Sequence, residues 1–301
     1  MNNQKQKLLI VGDNPFHGIS HLSQERARKR SGNIVFPVDK AADAVLASLE
    51  NGADGFSFSV SDHTLSIVKA LSQRNVNDPI ELFAMLPYAF EYVRVATQTG
   101  TPGLAKRFIK QIVLSGKIGA VFGGLWATIR MNPEGLLKTY LTYEISRVKS
   151  AAGKRLHLKS VLLNEVIVDM GLALDLDWLF KSFIKKISKE GIKPGFNTRN
   201  FPYLINKFED LGISLDDIYI VTPFNKAGFQ MNPSKEECEK TLAKLSSPNV
   251  LAISILAAGH FKPDEAADYL AGLKNLAGAI VGVSSEKQSI ETFSVLDREL
   301  R

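Results

Sequence analysis

The sequence predicts an α/β fold: a single (β/α)8 barrel of the TIM type over residues 1–301, with a helical insertion at about 89–132 after the third strand. Three observations lead there. Eight short β-rich runs alternate with helix-length amphipathic stretches. Runs such as LAISIL and AIVGV are apolar throughout, as parallel strands covered on both faces require. No linker of disordered composition divides the chain, and eight units ending on an eighth helix favour a closed ring over a doubly wound open sheet.

Taken in order, Leu8 to Gly12 is the first strand, stopped by the turn formers Asp13-Asn14-Pro15. Asp39 to Asn51 places Ala42, Val45, Leu46 and Leu49 on one helical face, with Gly52 as C-cap. Gly55 to Val60 is the second strand, Leu65 to Arg74 its helix, and Ile80 to Leu86 the third strand, ended by Pro87. The rhythm then pauses from Tyr88 to Gly153. Pro133 to Lys149, with proline at a helix start, is the expected third crossover helix, and the pieces before it form the insertion. Ser160 to Asp169 reads as the fourth strand, with Leu176 to Glu190 as a lysine-rich helix. A short strand ends at Gly195-Phe196-Asn197, and Tyr203 to Leu211 is a helix closed by Gly212. Ile218 to Pro223 is the sixth strand; Ser234 caps a helix over Lys235 to Leu245, with Glu237 in capping-box position. Val250 to Leu256 and Ala279 to Val283 are the last strands, followed by helices over Pro263 to Leu273 and Glu286 to Leu296.

The composition, 45% hydrophobic and 23% charged, excludes collagen-like, mucin-like and wholly disordered chains. Thirty-seven basic residues against 31 acidic ones give +6 without a dense basic run. That argues against a nucleic-acid partner and suits an anionic small ligand or general solubility. The lone cysteine, Cys238, permits no internal disulfide, and the polar Met1 to Lys7 offers no signal peptide, so a cytoplasmic location is expected. Ile112 to Ile129 is apolar but shorter than the roughly 20 residues of a membrane span. It reads as a buried or subunit-facing helix pair through which a homo-oligomer would form, or as a lid over an apolar ligand.

In such a barrel chemistry gathers at the carboxyl ends of the strands. That rim collects Asp13, His17 and His21 after strand one; Ser61, Asp62 and His63 after strand two; Met85 and Tyr88 around the end of strand three. Asn164 and Glu165 belong to strand four, Asn197, Arg199 and Asn200 follow strand five, and Lys226 follows strand six. Asp13, His17, Asp62, His63, Tyr88 and Glu165 are the candidate proton-transfer groups. Glu165, if desolvated among Val, Leu and Ile, suits acid or base work; the alternative is a pair with Arg199 or Lys226. His17 and His21 stand four apart, but Gly18 between them weakens a helical metal pair, and no recognised ligand spacing supports a metal site. After strands seven and eight, Gly259, Gly282, Ser284, Ser285 and Lys287 suit a phosphate, although either serine can equally cap the final helix.

Gly195 to Phe293 resembles the aldo-keto reductase superfamily: GFNTRNFPYL, VTPFNKAG, LAISILAAGHFKPDEAADYL and AIVGVSSEKQSIETF look like its fifth to eighth units. The opening GDNPFHG is similar to divergent reductase-like barrels. The resemblance implies the barrel and a phosphate pocket, not the reaction; if a nicotinamide cofactor, NADP or NAD, is used, Arg199, Asn200, Gly259, Gly282, Ser284, Ser285 and Lys287 are the residues expected to hold it. It does not supply the family's catalytic tetrad. Ser57 to Ser61 stand where its aspartate belongs, ELFAMLPY has no lysine, and Asn164 and Glu165 stand where its histidine belongs. Three functions follow as expectations: a divergent NAD(P)-linked oxidoreductase with a non-standard proton donor, a cofactor-free lyase or isomerase for a phosphorylated small molecule, and a non-catalytic ligand-binding barrel.

Overall fold

The computed structural model describes residues 6–17, 36–74, 79–87, 133–246 and 249–301. Eight parallel strands run in chain order and close on themselves: β1 (Leu8–Gly12), β2 (Gly55–Ser59), β3 (Glu81–Leu86), β4 (His157–Leu163), β5 (Lys193–Asn197), β6 (Tyr219–Pro223), β7 (Val250–Ile253) and β8 (Leu276–Gly282). The helices described are α1 (Val38–Leu49), α2 (Asp62–Gln73), α3 (Pro133–Ala152), α4 (Glu165–Ala173), α5 (Asp177–Lys189), α6 (Phe201–Asp210), α7 (Lys235–Lys244), α8 (Pro263–Ala271) and α9 (Glu286–Leu300). The expected (β/α)8 barrel is therefore the fold, with two helices instead of one after β4.

Two apolar masses hold it. Inside the ring, Ile10, Phe83, Leu162, Tyr219, Val221, Leu251 and Ile280 form a packed plug. Between ring and helices lies a larger shell that includes Phe56, Phe180, Phe183, Phe196, Phe208 and Phe293. Phe196 stands at its centre on the β5 side, edge-on to Phe183 at 5.3 Å and to Phe208 at 4.9 Å. Alternate residues of each strand feed the two masses, which is why the strands lack the apolar–polar alternation of a one-faced sheet. Closure rests on β8 lying alongside β1 from Leu8–Gly278 to Gly12–Gly282. At Gly278 the neighbouring Leu8 backbone fills the space a Cβ would take, so only glycine lets the ring shut there.

Two strands end more than one residue earlier than the sequence reading has them: the seventh at Ile253 instead of Leu256, and the fourth at Leu163 instead of Asp169. The run Ser160 to Asp169 is not one strand: β4 ends at Leu163, Asn164 caps a helix by accepting the Val166 N–H at 3.0 Å, and Glu165 to Asp169 are helical. Asparagine at this position supplies the acceptor that a helix start needs, and this outweighs the β-branched Val166, Ile167 and Val168. Tyr88, His21, the insertion at 89–132 and the Ile112–Ile129 segment lie outside the described residues. Among the described residues no helix is long and apolar enough to cross a membrane.

Candidate active site

The inward-facing residues change character towards the carboxyl end of the ring. In parallel neighbours, registered residues point the same way. Ser57 is registered with Phe83 of the plug, Ser59 with Met85, Met85 with Leu162, and Asn197 with Val221. Above the apolar plug the mouth is therefore lined by Ser57, Ser59, Met85 and Asn197, and Asn164 joins them from the β4–α4 junction. Its amide Nδ2 donates to Met85 Sδ at 3.5 Å, and that of Asn197 approaches the same sulfur at 3.7 Å.

At the β1–β2 side of this mouth stands a cluster of Asp13, His17 and His63. Asp13-Asn14-Pro15 does turn the chain, as its composition predicts: the Phe16 N–H donates to Asp13 O at 2.8 Å and opens a single 3-10 turn, Asn14–His17. Phe16 anchors that turn in the outer shell, 6.2 Å from the Phe56 ring. Asp13 and His17 are thereby held with side chains 8% exposed each, His17 Nε2 lying 2.8 Å from Asp13 Oδ2. The same oxygen accepts the Ser59 N–H at 2.7 Å, so Asp13 also ties the end of β1 to the end of β2.

His63 arrives from α2. Its position is set by a reciprocal cap: Thr64 N donates to Ser61 Oγ at 3.2 Å, and Ser61 N to Thr64 Oγ1 at 3.0 Å. Thr64 Oγ1 also donates to Ser59 O at 2.6 Å, fastening the helix start to the strand it follows. The His63 ring then lies edge-on to His17, 6.2 Å between centroids. Burial holds its pKa below the ordinary 6.5, the neighbouring His17 pushes the same way, and Asp13 opposes both. Its Nε2 is buried and has no hydrogen-bond partner among the described residues.

The remaining candidates are placed differently. Asp62, adjacent in sequence to His63, is 79% exposed and ion-paired with Arg147 of α3. Glu165 is not within a strand; at the first position of α4 it takes both ends of the Arg199 guanidinium, Nη2 at 2.7 Å and Nε at 3.2 Å. This is the pairing alternative, with Arg199 and not Lys226 as partner. Asp169, hidden by the strand reading, steadies the loop after β5 by accepting from Thr198 Oγ1 at 2.6 Å. His157 and Glu81, 3.5 Å apart, sit at the opposite, amino end of the strands, and His260 is exposed. Among the described residues no three His, Cys, Asp or Glu side chains are grouped to hold a metal ion.

The positions expected to grip a dinucleotide are largely engaged within the fold. Ser285 Oγ accepts the Gln288 N–H at 3.2 Å, the capping alternative, and Ser284 Oγ donates to the Gln288 side-chain Oε1 at 2.8 Å. A Cβ on Gly282 would stand 2.9 Å from Pro15 Cδ, so its bareness makes room for the β1 turn. Gly259 ends a three-residue 3-10 turn at a φ of 82°, a conformation that itself favours glycine. Arg199 serves Glu165, Lys287 is extended on the surface with Glu291 3.8 Å away, and the Asn200 side chain makes no cap bond at the start of α6.

Signals for the missed parts were present. Ser61-x-x-Thr64 has the spacing of a reciprocal cap, and Asn164 that of an N-cap before a helix. No spacing could have shown that Asn164 and Asn197 share one sulfur.

No protein-family model matches the chain, and no curated protein matches it in sequence. Two solved structures of a protein from Pseudomonas aeruginosa described as a candidate aldo-keto reductase are similar to it in fold. The first has a TM-score of 0.59 at 10% identity, covering 98% of this chain and 92% of that one. The second has a TM-score of 0.58 at 10% identity, covering 98% and 91%. The likeness lies in the backbone: at this identity it shows the (β/α)8 barrel fold alone.

Proposed function

We propose that the chain is an aldo-keto-reductase-like barrel enzyme whose chemistry is proton transfer, carried by His63 on a small molecule seated in the mouth. The observation that carries this reading is the buried, unpartnered His63 Nε2 beside the Asp13–His17 pair. A buried acceptor left without a partner costs roughly 1–3 kcal/mol, which a substrate proton would recover. The lowered pKa keeps His63 neutral near pH 7 and ready to act as a base.

With the His63 proton on Nδ1, Nε2 accepts the proton from a carbon next to a carbonyl. The C–H electron pair moves into the carbonyl, giving an enolate and an imidazolium. Asp13, close behind through His17, favours that transient positive charge. Where the deprotonated carbon carries a hydroxyl, the intermediate is an enediolate. Its hydroxyl proton passes to the former carbonyl oxygen, the imidazolium returns its proton to the former carbonyl carbon, and the result is an isomerisation. Departure of a group with its bonding pair from the carbon beyond is an elimination. Both are proton-transfer reactions within one active site.

A nicotinamide-linked reduction would use NADP or NAD as hydride source, with Arg199, Asn200, Gly259, Gly282, Ser284, Ser285 and Lys287 as its phosphate grip. The engagement of Arg199, Ser284 and Ser285 within the fold favours the cofactor-independent isomerase or lyase. The test is exchange of substrate C–H for deuterium in heavy water, followed by NMR over a panel of small aldehydes, ketones and sugar phosphates. Exchange catalysed by the wild type and lost in His63→Asn, without added nucleotide, is expected. Turnover that appears only with NADPH or NADH would overturn the cofactor-independent reading.

A further inference from the structure

The mouth holds a second buried polar group without a partner. Asn197 is 5% exposed, and its Oδ1 has no hydrogen-bond partner among the described residues. Its orientation is fixed by chemistry. The neighbour at 3.7 Å is the Met85 thioether, a weak acceptor that cannot donate, so the NH2 end faces it and the carbonyl end is turned away. Asn164 is fixed in the same sense by the backbone: its Oδ1 is taken by the Val166 N–H, which leaves Nδ2 directed at the same sulfur, 3.5 Å away. Two amide donors thus converge on one poor acceptor, with an unused carbonyl oxygen beside them.

We infer that Asn164 and Asn197 form the substrate-reading pair of this mouth, and that their pattern selects an α-hydroxycarbonyl compound. The substrate's carbonyl oxygen, a far better acceptor than a thioether, takes N–H bonds from the two amides. Its adjacent hydroxyl donates to Asn197 Oδ1. A ligand lacking that hydroxyl leaves the buried oxygen unpaired, and sites built to bond a hydroxyl discriminate strongly against analogues without one. The inference rests on the mouth being the substrate site, and it adds the substrate class to the proton-transfer reading. Asn164 and Asn197 are the specificity residues in this account and Met85 a positioning one; the proton is left to His63.

The test uses matched probes on the full chain: hydroxyacetone against acetone, and glycolaldehyde against acetaldehyde, with binding followed by ligand-observed NMR. Wild type is expected to favour each hydroxylated member by about tenfold, the equivalent of one buried hydrogen bond. Asn197→Leu, similar in size and without the acceptor, is expected to bind both members of a pair alike. Asn197→Asp, which keeps an oxygen in place, is expected to retain the preference and guards against a folding defect in the leucine variant. His63→Asn is expected to keep the preference while losing deuterium exchange, so failure of the base and failure of the reading pair show in different columns. Equal binding of paired probes by wild type, a preference that survives Asn197→Leu, or no binding of either probe at high millimolar concentration would overturn the inference.

Discussion

The role proposed for His63 depends on its being half-buried, with Nε2 itself out of contact with solvent. The ring is desolvated and within reach of a second imidazole, and both effects disfavour its charged form. The pH dependence follows by sign. The folded chain holds the His63 proton less tightly than the unfolded chain, whose value is the ordinary 6.5. Between the lowered folded value and 6.5 the unfolded state binds more protons, so stability declines as pH falls through that window. This dependence should weaken in His63→Asn, measured by urea unfolding across the acid range. The acid limb of kcat/KM should likewise lie below pH 6.5, and His63→Asn should cost about a hundredfold to ten-thousandfold in turnover. Glu165 gives the contrast. Its bidentate pair with Arg199 is partly solvated, with side chains 25% and 38% exposed, and such pairs contribute at most about 1 kcal/mol. Glu165→Gln should leave turnover within about twofold of wild type and change stability only slightly, as an exposed ion pair does. A large loss of turnover with unchanged substrate binding would return Glu165 to the proton-transfer step.

At the scale of elements, the turns place the chemistry. The Ser61–Thr64 cap starts α2 at a fixed point above β2, and this determines where His63 stands. Ser61→Ala should cost about 1 kcal/mol of stability and more in turnover than its neighbours on the exposed side of α2, checked by denaturant titration and initial rates. The β1 turn is held from the other side by Gly282, whose missing Cβ admits Pro15. Gly282→Ala should push the Asn14–His17 turn outward, cost about 1–3 kcal/mol and move the His17 and Asp13 resonances by NMR. Much of this was legible in the chain. Asp13-Asn14-Pro15 is a turn by composition, and the Ser234 cap forms as expected, accepting the Glu237 N–H at 3.2 Å. The β4–α4 junction was not legible, because LLNEVIVD carries a strand's branched residues across a helix start, and only the bond from Asn164 to Val166 decides between them. The fate of Ser284 and Ser285 was open for a similar reason: a serine before Glu-Lys-Gln can serve a helix or a ligand, and Gln288 takes both.

For the molecule as a whole, alternation of apolar runs with amphipathic helices was enough to read a ring, since each strand is covered on both faces and each helix on one. The contents of the mouth were legible only as a list. Which members meet depends on shear and register, quantities carried by no single segment: His17 and His63 come together from adjacent units, Asn164 and Asn197 meet at Met85, and Asp62 turns to α3. The same register makes closure a property of the entire ring. If β8 cannot lie against β1, both strands expose an edge and the plug loses one wall, so damage at that seam should not stay local. Gly278→Ala places a methyl group against the Leu8 backbone, where neither partner is a flexible side chain that can move aside. The expected outcome is a loss of more than about 3 kcal/mol, with a single cooperative transition displaced to low urea and increased aggregation through the opened edges. Alanine at Gly153, where nothing lies within 4 Å but φ is 62°, carries only the backbone penalty of about 1 kcal/mol. Equal destabilisation of the two variants in parallel unfolding curves would show that the seam carries no special share of the fold.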